Sequence, residues 1–261
     1  MSYVDAHVHL ADSGYHDDLE SILRGEANEI VRNLLSNGTD YETSVKTVSI
    51  ARQHEGRVFA AIGIHPWTIV QNVQQPVEKF EELIEADKSH VSAIGEIGLD
   101  GQYTQDEDKK SHQLEIFKFF LHLAERKKLP VVVHSRLAVE EMLEILPSFN
   151  LTRVLMHWYS GPTEKLRIIK DRGYLISIGP SVTYTKRIAE IARTADLATI
   201  LTETDGPVPY HGPFEGRRTE PFFVVDVVQK LSEIRNEGSD TVRDAVRRNF
   251  LRFIGQSMHG K

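Results

Sequence analysis

Short apolar runs alternate with helical patterns eight times along the chain, and this alternation constrains the fold more than any other feature. The runs are rich in Val, Ile, Leu or Ala, as buried parallel strands are. They occupy Tyr3–His9, Glu29–Leu35, Val58–Ile64, Val91–Ile97, Pro130–His134, Arg153–His157, Tyr174–Ile178 and Thr199–Thr202. Such alternation predicts a parallel sheet with right-handed crossovers, and eight repeats favour a closed α/β barrel over an open sheet.

Apolar residues between these runs recur at the three- and four-residue spacing of amphipathic helices. The three clearest sets are Leu114, Phe117, Leu121 and Ala124; Val139, Met142, Leu143 and Leu146; and Val224, Val228 and Leu231. The last helix is expected to begin near Ser239-Asp240 with a capping side chain. Pro130 is expected to separate a helix from the fifth strand, because proline cannot continue a helix.

The chain has 261 residues, of which 40% are hydrophobic and 26% charged, as in an ordinary globular protein. A (β/α)8 barrel commonly uses this length as one domain. We therefore predict a single α/β domain of the TIM-barrel class over residues 1–261. No Gly-x-Gly-x-x-Gly follows the first run and no Walker-type loop occurs, which removes the usual nucleotide-binding reasons for an open sheet.

Several classes of protein are excluded by composition. The chain has no cysteine, so disulfides, thiolate metal sites and a cysteine nucleophile are impossible. No apolar run approaches the roughly 20 residues that cross a bilayer, and no signal-peptide pattern is seen, so we predict a cytoplasmic protein with no membrane partner. The formal net charge of −7 argues against a broad basic surface and predicts that any affinity for nucleic acid is weak or provided by metal ions. The oligomeric state stays open.

Residues of the types that commonly bind metals lie at the ends of the predicted strands. Because these strand ends share one face of a barrel, the side chains are expected to converge there. Each alone has an ordinary explanation, such as a buried histidine pair or a turn aspartate, but together a metal site explains all of them. They are His7 and His9 on the first strand, His65 after the third, Glu96 on the fourth, His134 on the fifth, His157 on the sixth and Asp205 after the eighth.

The spacing in His7-Val8-His9 suits one shared ion. Residues i and i+2 of a strand point to the same side, so both imidazoles face the barrel mouth. Imidazole and carboxylate ligands without thiolate are typical of zinc, manganese, iron and similar divalent ions. Glu96 has two carboxylate oxygens, which allows it to bridge two ions.

The chain resembles the TatD family of metal-dependent hydrolases, within the amidohydrolase-like superfamily of barrels. The resemblance runs along nearly the whole chain and implies two divalent ions. It implies that one ion is held by His7, His9, Glu96 and Asp205, and the other by Glu96, His134 and His157. The segments that carry it are Asp5–Leu10, Ile62–Pro66, Ile94–Asp100, Pro130–Arg136, His157–Gly161, Glu203–Pro207 and Arg217–Pro221.

The resemblance also implies a substrate, because the family includes exonucleases of single-stranded DNA. DNA, at single-stranded ends, or another small phosphodiester is therefore the expected substrate and partner. The sequence departs from the family pattern beside the ligands. Trp158 and Tyr159 are bulkier than the Cys-Phe often found there, Leu137 replaces a frequent acidic residue, and Ala11 precedes Asp12.

The expected mechanism is hydrolysis by a metal-bound hydroxide at a site with two ions, which are zinc, magnesium or manganese. Asp205 is the predicted general base, and His65 is predicted to bind phosphate or protonate the leaving group. Contacts with the substrate phosphate are predicted for Arg136, Lys186 and Arg217, although Arg217 and Arg218 also fit a solvated charge pair. Glu203 is a predicted partner that orients a ligand.

Four aromatic residues, Trp67, Tyr103, Trp158 and Tyr159, are predicted either to stack on bases or to pack beneath loops. Two other functions remain open. The same nucleophile attacks carbonyl carbon, so an amide, ester or lactone hydrolase is the alternative, and apolar pocket walls with few fixed cations would favour it. A binding or assembly component with little activity is the third hypothesis.

Overall fold

The computed structural model describes residues 2–70, 76–103 and 106–256. Eight strands form one sheet in chain order, and each pairs in parallel with the next. The sequence prediction of a (β/α)8 barrel is confirmed. The strands are β1 (Tyr3–Val8), β2 (Val31–Asn37), β3 (Val58–Ile62), β4 (Val91–Gly98), β5 (Val131–His134), β6 (Val154–Met156), β7 (Leu175–Ile178) and β8 (Ile200–Thr202).

The last strand returns beside the first. Thr202 Oγ1 donates to the Val4 carbonyl at 2.6 Å. Just beyond β8, the Asp205 amide donates to the His7 carbonyl at 2.8 Å, and the His9 amide donates to the Gly206 carbonyl at 2.8 Å. These bonds join the two ends of the sheet at the place where the predicted ligands of the first and eighth strands lie.

Helices follow the strands around the barrel and cover its outer face. In the described part of the chain they are α1 (Leu19–Arg24), α2 (Tyr41–Gln53), α3 (Pro66–Val70), α4 (Lys79–Ala86), α5 (Glu107–Lys127), α6 (Val139–Ile145), α7 (Leu166–Asp171), α8 (Lys186–Thr194), α9 (Val224–Arg235) and α10 (Ser239–Ile254). The predicted apolar faces lie on α5, α6 and α9. Their residues pack against the core, with Leu114 partly buried and the others buried.

The observed strands begin and end within one or two residues of the predicted runs, and the start of the last helix agrees although its cap does not. Helix α5 ends at Lys127, and Lys128 adopts the left-handed conformation before the fifth strand begins. Helix α10 begins at Ser239 as expected, but Gly238 is its N-cap and no side chain caps it. The prediction of a capping side chain was wrong, because Ser239 already lies inside the first turn and Asp240 pairs with Arg243 at 2.5 Å.

The strands form the centre of the core. All residues of β3, β6, β7 and β8 are buried. Strands buried on both faces hold the side chains at their ends in fixed positions, which is what a metal site requires. Within the described residues, no helix is long and apolar enough to cross a membrane. The cytoplasmic location stays a prediction.

Candidate metal centre

The structure brings all seven predicted metal-type residues together at the carboxyl ends of the strands. His7 lies on β1 and His9 directly follows it, Glu96 lies on β4, and His134 is the last residue of β5. The remaining three, His65, His157 and Asp205, lie in the segments just after β3, β6 and β8. The side chains of all seven are mostly or fully buried.

Four donor atoms from His7, His9, Glu96 and Asp205 form the first set. His7 Nε2 is 3.2 Å from His9 Nε2, 3.3 Å from Glu96 Oε2 and 3.3 Å from Asp205 Oδ1. His9 Nε2 is 3.4 Å from Glu96 Oε2 and 3.2 Å from Asp205 Oδ1. A tetrahedral ion with bonds of about 2.0–2.1 Å has ligand separations of about 3.3–3.4 Å. The chemistry and spacing of this set therefore fit a divalent ion.

The other oxygen of Glu96 belongs to a second set. Glu96 Oε1 is 2.8 Å from His134 Nδ1 and 2.7 Å from His157 Nε2, and these two nitrogens are 3.2 Å apart. The two shorter separations are those of charge-assisted hydrogen bonds, so an ion on these atoms requires the Glu96 carboxylate to move slightly outward. Glu96 thus divides its two oxygens between two groups of donors.

Hydrogen bonds fix which nitrogen of two histidines faces the centre. His9 Nδ1 donates to the Asn37 carbonyl at 2.9 Å, which leaves Nε2 without a hydrogen in the neutral ring. His134 Nε2 donates to Asp100 Oδ2 at 2.8 Å, which leaves Nδ1 bare. Outer partners of this kind orient metal-binding histidines and raise their basicity.

His65 has the opposite arrangement. Its Nδ1 accepts the backbone N–H of Trp67 at 3.1 Å, so a neutral ring carries its hydrogen on Nε2. This Nε2 lies 3.2 Å from Glu96 Oε1 and 3.2 Å from His134 Nδ1. His65 therefore joins the second donor set in space, but it presents an N–H group there and acts as a hydrogen-bond donor.

Burial and mutual contact shift the pKa values of the centre in opposite directions. Burial lowers the pKa of His65 to about 4. Burial also lowers the pKa of His9, but hydrogen bonding to Asp205 and the charges of Asp205 and Glu96 outweigh it and raise the pKa to about 9. Burial would raise the pKa of Glu96, yet the neighbouring His65, His157 and His7 hold it well below its usual range.

Asp100 links the second donor set to a cation. Besides accepting from His134, its Oδ2 accepts from Arg136 Nε at 2.8 Å and lies 2.7 Å from Arg136 Nη2. Burial raises the pKa of Asp100, but the bonds from His134 and Arg136 outweigh burial and lower it to about 2. The Arg136 guanidinium also lies 4.9 Å above the Tyr103 ring.

Two further buried carboxyl groups, those of Asp5 and Glu203, accept hydrogen bonds from residues next to the donor atoms. Asp5 accepts from Thr204 Oγ1 at 2.6 Å, from the Thr204 amide at 2.9 Å and from the His7 amide at 3.3 Å. Burial raises the pKa of Asp5 to about 8. Glu203 accepts from the Trp158 amide at 2.8 Å and from Ser177 Oγ at 2.6 Å. Its Oε2 lies 3.6 Å from His157 Nδ1, as expected for a predicted orienting partner.

A cavity of about 490 Å³ opens above the donor atoms. Three of the four predicted aromatic residues, Trp67, Tyr103 and Trp158, line it. Tyr159 does not, because it is 1% exposed and its hydroxyl donates to the Pro162 carbonyl, so it follows the packing alternative. The full lining is His9, Asp12, Thr39, His65, Trp67, Glu96, Tyr103, His134, Ser135, Arg136, His157, Trp158, Ser160, Asp205, Pro207, Val208 and Pro209.

The predicted phosphate contacts lie in different places. Arg136 lines the cavity, whereas Lys186 and Arg217 do not. Lys186 is exposed at the first turn of α8. The Arg217 guanidinium lies 4.6 Å above the Phe223 ring, on an aromatic cluster behind the pocket wall. Arg218 pairs with Asp18 at 2.6 Å, which matches the charge-pair interpretation.

The sequence analysis gave no role to Asp100, Asp5 or Asn37. Asp100 lies two residues beyond the end of β4. This position at the end of a strand could have identified Asp100 as a candidate site residue from the sequence. Asp5 lies two residues before His7, but nothing in the sequence shows that Thr204 faces it. Asn37 contributes a backbone carbonyl, and a main-chain group leaves no signal in the sequence.

The fold and the two donor sets define a metal-dependent hydrolase built on a (β/α)8 barrel. The family model of TatD-related DNases matches residues 4–255. The chain therefore belongs to the TatD family of metal-dependent hydrolases, as its motifs predict.

Individual relatives agree with this assignment. Metal-dependent hydrolases of Methanocaldococcus jannaschii and Bacillus subtilis are each 29% identical to this chain, over 97% and 96% of it and 97% and 98% of their own lengths. A human deoxyribonuclease is 26% identical over 99% of this chain and 97% of its own. The crystal structure of a TatD homologue from Escherichia coli matches with a TM-score of 0.88 and 26% identity, over 98% of both chains.

Proposed function

We propose that this hydrolase cleaves phosphodiester bonds with two divalent ions, and that DNA at single-stranded ends is its substrate. The observation that carries the proposal is the division of the Glu96 carboxylate, with Oε2 in one donor set and Oε1 in the other. Two-ion sites of this kind are typical of nucleases and phosphatases, where both the attacking and the leaving oxygen need stabilisation. The name of the human relative, a deoxyribonuclease, supports the same class.

His7, His9, Glu96 and Asp205 would hold one ion, and Glu96, His134 and His157 the other. When bound, the ions lower the pKa of water and stabilise charge on the phosphoryl oxygens. Four positive charges would exceed the negative charges of Glu96 and Asp205, even with the buried Glu203 carboxylate added. The centre would stay cationic and attract an anion such as a phosphodiester.

The side chains of the protein would then move protons and hold the phosphate. Asp205 accepts the proton of the attacking water as the water oxygen bonds to phosphorus. The bond from phosphorus to the leaving oxygen breaks, and that oxygen takes the proton that Asp205 accepted, while the neutral His65 ring donates a hydrogen bond from its Nε2–H group to a phosphoryl oxygen. Arg136, still free to donate through its remaining N–H groups, binds a phosphoryl oxygen.

Cleavage of labelled single-stranded DNA tests the proposal in the presence of Mg²⁺, Mn²⁺ or Zn²⁺. The wild type should cleave, and a His7→Ala/His9→Ala variant should not. A His112→Ala/His122→Ala variant is the matched control, because both histidines are exposed on α5, away from the centre, and each forms an ion pair with a neighbouring glutamate. Equal cleavage by the wild type and the His7→Ala/His9→Ala variant would show that the centre does not carry the reaction.

One observation favours a second candidate, a hydrolase of ester, amide or lactone bonds. The cavity walls contain Trp67, Trp158, Pro207, Val208 and Pro209. Among the described residues, one arginine lines the cavity, and it already pairs with Asp100. An uncharged substrate suits such walls, and the same activated water attacks carbonyl carbon. Turnover of a panel of carbonyl esters and lactones, with none of DNA or dinucleotides, would decide for this candidate.

A further inference from the structure

The small number of cationic side chains in the cavity limits how many phosphates of a nucleic acid can bind there. We infer that the site holds one phosphate and one or two flanking bases at a strand end, so that a dinucleotide is as good a substrate as an extended strand, which gains no affinity from its length. This inference rests on the proposed phosphodiesterase function and adds the size class of the substrate.

Arg136 is the single lysine or arginine among the described residues that line the cavity. Two of its guanidinium nitrogens, Nε and Nη2, already contact Asp100. The two internal stretches outside the described residues, 71–75 and 104–105, contain no lysine or arginine in the sequence. The cavity therefore offers cationic side-chain contact for one phosphate.

The other basic residues predicted to contact phosphate do not line the cavity, and Lys186 is exposed at the first turn of α8. Arg217 lies over the Phe223 ring and Arg218 pairs with Asp18, and neither lines the cavity. Asp12 does line it and has the wrong sign for a phosphate. Proteins that bind extended single strands use a positively charged groove that follows the backbone. Among the described residues, the cavity lining has one arginine and no lysine, so the lining itself does not form such a groove.

Aromatic side chains form much of the cavity walls. Trp67 and Tyr103 follow β3 and β4, and Trp158 follows β6, so aromatic surfaces lie on two sides of the donor atoms. Each of these three aromatic residues contacts a residue of the centre through its backbone or its ring. The Trp67 amide donates to His65, Tyr103 lies under Arg136, and the Trp158 amide donates to Glu203. Bases stack on such rings with little regard to sequence.

These rings also provide a direct readout of binding. The protein has two tryptophans, Trp67 and Trp158, and both line the cavity. Stacking of a base on either indole is expected to quench its fluorescence. Intrinsic fluorescence therefore reports occupancy of the cavity without any turnover.

The experiment compares oligothymidylates from two to twenty residues long. We expect the dinucleotide to reach the full kcat/KM per strand end, within about threefold of the longest strand. Fluorescence titrations between about 50 and 200 mM salt should give a logarithmic slope near −0.7, the value for one neutralised phosphate on a single strand. A kcat/KM that rises steadily with length, or a slope steeper than about −2, would overturn the inference.

Leucine variants test the stacking surfaces. Trp67→Leu and Tyr103→Leu should each raise the KM for the dinucleotide about tenfold and leave metal content unchanged. Tyr184→Leu is the matched control, since Tyr184 is 38% exposed, close to the 43% of Trp67, but does not line the cavity. Unchanged KM values in both pocket variants would also overturn the inference.

Failure of this inference is distinguishable from failure of the proposed function. If long strands are strongly preferred, the protein is still a phosphodiesterase and only the size class is wrong. If no oligothymidylate of any length is cleaved by the metal-loaded protein, the phosphodiesterase function itself is wrong.

Discussion

The Trp67 amide donates to Nδ1 of His65 at 3.1 Å, and this one hydrogen bond separates His65 from the histidines around it. His9 and His134 each donate their outer N–H to an acceptor and present a bare nitrogen to the centre. His65 accepts on its outer nitrogen and presents an N–H group. Proximity alone groups His65 with Glu96 and His134 as a possible ion site, but the proton position argues for a donor to substrate.

Replacement of His65 should therefore affect turnover but not metal content. We expect His65→Ala to lower kcat by about 10²–10³, the usual cost of removing one hydrogen-bond donor that stabilises developing charge, while both ions remain bound. His9→Ala should lose an ion, because it removes a bare imidazole nitrogen from the first donor set. Elemental analysis of the purified variants checks both statements, and loss of metal from His65→Ala would identify His65 as a ligand.

Asp100 should matter for the affinity of the second ion. Asp100→Asn removes the charge that fixes His134 and frees Arg136, so the second ion should bind about 10–100-fold more weakly. Competition with a chelator during metal titration measures this change. Asp87→Asn is the control, since Asp87 is a surface carboxylate paired with Arg52 at 2.6 Å. An unchanged affinity in Asp100→Asn would mean that packing alone orients His134.

Thr204 should stabilise the fold through Asp5. Thr204→Val keeps the shape of the side chain but removes the 2.6 Å bond to the buried carboxyl, which should lower the free energy of unfolding by about 1–3 kcal/mol. Urea denaturation provides the measurement. The exposed Thr194, changed to Val on α8, should alter it by no more than about 0.5 kcal/mol. Equal small effects would show that Asp5 finds another partner.

Gly98 allows β4 and β5 to approach each other at the centre. It has a φ of +151°, and a Cβ there would lie 2.1 Å from the His134 carbonyl oxygen. Gly98→Ala should cost roughly 2–6 kcal/mol, the sum of backbone strain and overpacking. Gly56 also has a positive φ, +78°, but a Cβ there meets nothing within 4 Å. Gly56→Ala should therefore cost only about 1–2 kcal/mol, and equal costs in urea denaturation would contradict this explanation.

Much of the fold follows from local patterns along the chain. The eight apolar runs match the eight strands because a strand buried on both faces must be apolar throughout its length. The prediction that the His7 and His9 side chains face the same side agrees with the 3.2 Å between their Nε2 atoms. It follows from the strand itself, in which residues i and i+2 point to one side. The prediction that a side chain caps α10 was wrong, because Gly238 occupies the N-cap position. Both Gly238 and Ser239 are residue types that suit this position, so the sequence did not decide between them.

The sequence by itself determined the barrel, the family and the residue types that meet at its mouth, because each depends on short-range periodicity or on motifs at strand ends. Tertiary structure decided what each of these residues does. The pairing of His65 with Trp67 is local, but the contacts of Asp100 with His134 and of Asp5 with Thr204 join different strands. Proton positions and pKa values depend on such distant neighbours, as does the pairing of Arg136 in the cavity, and no sequence spacing specifies them.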